Sequence, residues 1–120
     1  MSERTVSFVR SLVARFPTLK ATLDEHKEDN HGEILPHVFL GDVTRHVLAL
    51  LPLASSNTSA GREIVDILEF FEHSYSSGNS ELRELISASF LENFPQVGED
   101  GAEVREMVGP VLRTQLESIG

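Results

Sequence analysis

The chain has 120 residues, 40% of them apolar and none of them cysteine, and its 19 acidic against 10 basic side chains leave a formal net charge of −9. This length fits one domain of about 100–200 residues, the apolar content argues against disorder, and the lack of cysteine excludes a disulfide framework or a thiolate metal site. So negative a surface repels phosphate backbones, which excludes direct nucleic-acid binding as an expectation and favours a basic protein partner.

The N-terminus, MSERTVSFVR, lacks the basic-then-apolar form of a secretory signal. No apolar run reaches the ~18 residues that cross a bilayer, so a cytoplasmic location without a membrane partner is expected. A first helix is predicted from Ser2 or Glu3 to Arg15, with Val6, Val9, Val13 and Phe16 as its apolar stripe. Phe16-Pro17 breaks it, and proline suits the first turn of a second helix running to about Glu28. That helix buries Leu19 and Leu23, with Ala21 and His26 at the margin. Asp29-Asn30-His31-Gly32 ends it, Asn and Gly supplying the positive backbone angle often found at helix C-termini.

The third helix is the organising element. It begins at Pro36 and runs to Leu51, where Pro52 can end it. At about 100° per residue, Phe39, Leu40, Val43, Val47, Leu50 and Leu51 share one sector, and Gly41, Thr44 and Arg45 lie opposite. So wide an apolar face calls for neighbours on several sides. Ala54 to Gly61 reads as a polar loop, with Thr58 or Ser59 placed to cap a fourth helix over Arg62 to Ser76. Ile64, Ile67, Leu68, Phe71 and Tyr75 form its apolar face, and Ser77-Gly78-Asn79 ends it.

Ser80 opens a fifth helix, with Glu81 and Glu84 in its first turn and Leu82, Leu85, Ile86, Phe90 and Phe94 facing inward. After a turn at Gly98-Glu99-Asp100-Gly101, the last helix carries Val104, Met107, Val108, Val111, Leu112, Leu116 and Ile119, with a kink or fresh start at Pro110. The expected fold is therefore all-α: one compact domain over residues 1–120, with about six antiparallel-packed helices around helix 36–51. The two Phe-Pro junctions do not mark a repeat, because their flanks do not align.

Asp42 and His46, four apart on the central helix, are expected to form a polar pair that satisfies a half-buried imidazole. A metal-dependent or other small enzyme built on Asp42, His46 and His37 is the alternative, with His26 and His31 needing to fold back to join them. Asp66, Glu69 and His73 faintly resemble a carboxylate-bridged di-iron bundle. The i, i+3 Glu-x-x-His element is absent, however, so a solvated face is the better account and no metal or other cofactor is expected. Gly-x-Gly-x-x-Gly, Walker, Gly-x-Ser-x-Gly and His-Glu-x-x-His patterns are also missing. A binding surface remains. Phe70 lies among Glu63, Asp66 and His73 with Glu69 nearby; it either packs against another helix or forms an aromatic anchor ringed by carboxylates for a basic partner.

The run DNHGEILPHVFLGDVTRHV, with RFPTLKATLDEH before it and ELRELISASFLENFPQVGEDG and GPVLR after it, resembles a family of small bacterial helical domains of unknown function. Patterns such as Gly-Glu-Leu-Leu-Pro-His-x-Phe-Leu-Gly-Asp and Ser-Phe-Leu-Glu-Asn-x-Pro mark that family. Such domains look like the acidic helical proteins encoded beside bacterial toxins. The resemblance implies a non-catalytic immunity or antitoxin role and carries over no site residues; the surface formed by Glu63, Asp66, Glu69, Phe70 and His73 is where a cognate toxin is expected to bind. A helical scaffold or regulatory subunit is a third reading.

Overall fold

In a computed structural model, residues 3–54 and 58–119 are described, with Thr58 described in its backbone only. They form an all-α domain with a radius of gyration of 13.7 Å, near the ~14 Å expected of a compact chain of this length. Seven helices occur among the described residues: α1 (Glu3–Arg15), α2 (Lys20–Asp29), α3 (Pro36–Ala54), α4 (Thr58–Ser77), α5 (Ser80–Ser89), α6 (Val104–Met107) and α7 (Pro110–Ile119). Short 3-10 turns at Pro17–Leu19 and Leu91–Asn93 precede α2 and follow α5. The count exceeds the expected six because the last helix breaks at Gly109-Pro110 and restarts. Val108 is extended there, at φ −76° and ψ 158°.

Helix α3 packs against α1, α2, α4 and α5, which buries more of it than its apolar sector. Gly41 and Thr44, expected to face away from the core, are buried as well. The Thr44 hydroxyl lies 3.2 Å from the carbonyls of both Leu40 and Phe90, so it satisfies its own polarity while tying α3 to the end of α5. Thr44→Val keeps the shape and removes the donor. A stability loss of about 1 kcal/mol is expected, the usual net worth of one buried hydrogen bond, readable by urea unfolding.

Several boundaries differ from expectation for local reasons. Helix α3 continues through Pro52 to Ala54, since so near its end the proline costs only one ladder bond in the last turn. Thr58 to Gly61 belong to the first turn of α4 rather than to a loop, and Ser55, Ser56 and Asn57 lie outside the described residues, as do Ser2 and the Thr58 side chain. The α5 cap is Asn79, whose side chain accepts the Leu82 N–H at 2.9 Å, and not Ser80. Asn30 keeps a negative φ; His31 at φ 57° and Gly32 at φ 83° make the left-handed turn after α2.

Burial in α1 is centred on Thr5, Phe8, Val9 and Leu12, whereas Val6 and Val13 are only half-buried. The stripe is rotated because Phe8 has aromatic partners to reach. Phe8 lies 5.8 Å from Phe70 and 5.7 Å from Phe71; Phe16 lies 5.7 Å from Phe70; Phe71 stacks on Phe90 at 3.9 Å; and Phe90 meets Phe94 at 5.1 Å. Six rings thus form one connected chain from the end of α1 through α4 to the turn after α5. Both Phe-Pro junctions are extended or bridging at the phenylalanine (Phe16 ψ 84°, Phe94 ψ 144°), as the ring of a following proline demands.

Candidate functional site

Where α2 crosses α3, a polar cleft of about 310 Å³ opens, lined by Thr22, Glu25, His26, Asp29, Asp42, Arg45 and His46. Its back wall follows from the α2 sequence. Leu23 and His26 lie on one side of that helix and both are buried, which turns Thr22, Glu25 and Asp29 toward the opening. Of the α2 residues, His26 alone is a sequence candidate, both as a marginal burial and as a group that could fold back toward Asp42 and His46, and it does face Asp42. Glu25 and Asp29 were missed because two more carboxylates on a mostly polar helix carry no distinguishing pattern.

The expected Asp42–His46 pair does not form. Asp42 bonds instead to the Arg45 guanidinium one turn on and faces His26 Nδ1 at 3.5 Å. His46 pairs across to α4, with Nε2 2.7 Å from Glu63 Oε2 and both side chains about four-fifths buried. The i, i+4 spacing allowed contact along the helix, but each group has a partner on a different helix that also joins two elements. Two separate links thus join α3 to its neighbours: Asp42 to α2 and His46 to α4.

His37 is exposed on the first turn of α3 and does not line the cleft, and His31 is exposed in the turn after α2. Among the described residues no three His, Asp or Glu side chains converge as a metal-ligand set. No described helix is long and apolar enough to cross a membrane.

On α4, the residues proposed to meet a partner divide. Phe70 is wedged between Phe8 and Phe16 of the α1 end and touches Phe71 at 6.4 Å, so of its two readings it takes the packed one. Glu63 is held by His46. Glu63 and Asp66 also line a shallow depression of about 230 Å³ together with Arg15 and Arg62, which dilutes the negative charge there. Glu69 and His73 remain exposed.

The other end of α4 holds a residue that no pattern singled out. The Glu72 carboxylate reaches the start of α7, accepting the Val111 N–H at Oε2 and the Leu112 N–H at Oε1, both at 2.9 Å. Val108 and Gly109, just before Pro110, offer no capping side chain. Glu72 therefore serves as the cap from another helix.

One family description, Domain of unknown function (DUF7674), matches residues 9–119. No curated protein and no solved structure is matched by the chain.

Proposed function

Since the chain belongs to this DUF7674 family, whose description names no activity, we propose on physical grounds that it is a non-catalytic binding module for a basic protein partner. An immunity or antitoxin protein that covers its cognate toxin is the form of that module we favour. The observation that carries the reading is the polar cleft. Glu25 and Asp29 line it without an ion-pair partner among the described residues, Asp42 stands opposite, and the whole chain bears a net charge of −9. A lysine or arginine entering there would meet carboxylates from two helices. The overall charge would steer the encounter, and the cleft would fix the register.

Phe70 is not part of this reading, because its ring is committed to α1. Glu63 pairs with His46, which lines the cleft; Glu63 and Asp66 line a separate depression, and Glu69 and His73 are exposed on α4. The proposed centre of the interface is therefore the α2–α3 cleft, with the exposed carboxylates of α4 as a secondary acidic surface.

The test is capture of the product of the adjacent gene by the intact chain, followed by calorimetry with Asp29→Lys, Glu25→Lys and Glu69→Lys. Reversal at Asp29 or Glu25 is expected to weaken binding about tenfold or more, equivalent to ~1.4 kcal/mol, with a smaller effect at Glu69 and steep weakening by salt. Binding indifferent to all three reversals and to salt would sink the proposal.

A further inference from the structure

We propose that His26 is a proton-sensitive latch on the strap of residues 30–35: the neutral ring holds the strap's last peptide, that of Leu35, against α2 at the start of α3, and its protonation releases that peptide. Residues 30–33 stay tied to the Lys27, Asn30 and His26 carbonyls. His26 is 3% exposed and stands edge-on to Phe39 at 5.6 Å. Its Nε2 accepts the Leu35 N–H at 3.0 Å, so Nε2 carries no hydrogen. A neutral ring then has its hydrogen on Nδ1, which faces Asp42 Oδ2 at 3.5 Å and the Asn30 side-chain amide at 3.4 Å.

Leu35 is no ordinary connection residue. Its carbonyl accepts the N–H groups of Val38 at 3.0 Å and Phe39 at 2.9 Å, so it is where the hydrogen-bond ladder of α3 begins. The His26 bond thus ties one side of the Leu35 peptide to α2 while the other side starts the central helix. The strap is also held rather than relaxed: His31 sits at φ 57°, a left-handed conformation unfavourable for a non-glycine residue.

Two sets of groups compete for the ring. From α3 it meets Asp42, with Arg45 and His46 beside it; from α2, Glu25 and Asp29 line the same cleft; from α4, Glu63 stands behind His46. The carboxylates give an imidazolium counter-charges. The Leu35 amide needs an acceptor, which only the neutral ring supplies. An added proton must bind at Nε2, where it would confront the Leu35 N–H, so proton and strap exclude each other.

The strap lines an opening of about 330 Å³, where Arg10 and Lys27 stand beside Glu33, Ile34 and Leu35, while His26 lines the polar cleft. Release of the Leu35 peptide changes the wall of the first and frees a ring at the second. A change in acidity would then be felt at the surface where α2 meets α3 without unfolding the core.

Nuclear magnetic resonance on the full labelled chain tests this, following the His26 ring nitrogens and amide protection from about pH 7.5 to about pH 5, where an unperturbed histidine changes charge. In step with the ring signal, the Leu35 protection factor is expected to fall about tenfold or more, while Val43, Val47 and Ile64 keep theirs. His26→Gln removes the titrating group and should abolish the step. If that variant does not fold, Asp42→Asn keeps the latch, and the loss of Leu35 protection should still follow the His26 ring signal. Protonation of His26 with Leu35 protection unchanged would overturn the proposal. So would a ring that stays neutral until the whole chain unfolds.

Discussion

Phe71→Ala is expected to remove about 3–5 kcal/mol of stability, the range for deleting a buried phenylalanine ring. Phe71 is fully buried, lies nearly parallel to Phe90 at an interplanar angle of 4° and a centroid distance of 3.9 Å, and presents its edge to Phe8 at 72°. Among the described residues it is the only ring that touches both the α1 side and the α5 side of the aromatic chain. Its loss opens a hole where α1, α4 and α5 meet, and those backbones cannot all close on it. Domains of this size hold about 5–15 kcal/mol in total, so the variant should unfold at far lower urea or fail to fold at 25 °C. Phe71→Leu refills most of the volume without the stacking and should lose about 1–2 kcal/mol. Urea titrations monitored by far-ultraviolet dichroism measure both; a loss under about 1 kcal/mol for Phe71→Ala would contradict the packing described.

The second large effect belongs to Glu72 and Gly109 taken together. Glu72→Ala deprives the first turn of α7 of a charged acceptor for two N–H groups, 39 and 40 residues along the chain. Charge-assisted bonds of this kind at a helix N-terminus are worth about 1.5–3 kcal/mol, and a loss in that range is expected. A Cβ on Gly109 would stand 2.6 Å from Glu72 Cδ and 2.8 Å from its Oε2. The glutamate can swing aside, but swinging aside forfeits the cap, so Gly109→Ala should lose nearly as much as Glu72→Ala. Because both variants lose the same bonds, the double variant should be only slightly worse than either single one, leaving a coupling of about 1 kcal/mol or more in the cycle. Additive losses would mean that Gly109 is small for some other reason.

The helical pattern was readable along most of the chain, because apolar spacing reports which residues can share a buried face. Ile64, Ile67, Leu68 and Phe71 were placed correctly on that basis, as were Leu85, Ile86, Leu112 and Leu116. The start at Pro36 and the restart at Pro110 were equally legible, since proline acts through its own ring. What spacing along one helix does not contain is the choice among partners on other helices. The i, i+4 spacing of Asp42 and His46 suggests a pair, and nothing in it tells that His26 and Glu63 reach them first from α2 and α4. Phe70 looked isolated on the polar side of α4 because the Phe8 and Phe16 rings reach it from α1. The burial of Thr44 and Gly41 follows from α5 and the turn after it, which cover the side of α3 that its own pattern leaves bare. Glu72 was invisible for the same reason: a helix cap is sought in the residues just before the helix, and this one comes from 39 positions earlier.

That remote cap also sets an order of events. A helix whose N-terminal donors are satisfied locally can form as soon as its own residues come together, but the start of α7 waits for a carboxylate delivered by α4. Closing so long a loop costs entropy that local contacts do not, so α7 has reason to dock after the α3–α4 pair is assembled. Its ten residues are too few to persist as a free helix in water. The C-terminal segment is thus less a module appended to the domain than its fastening, closed late and dependent on what it closes upon.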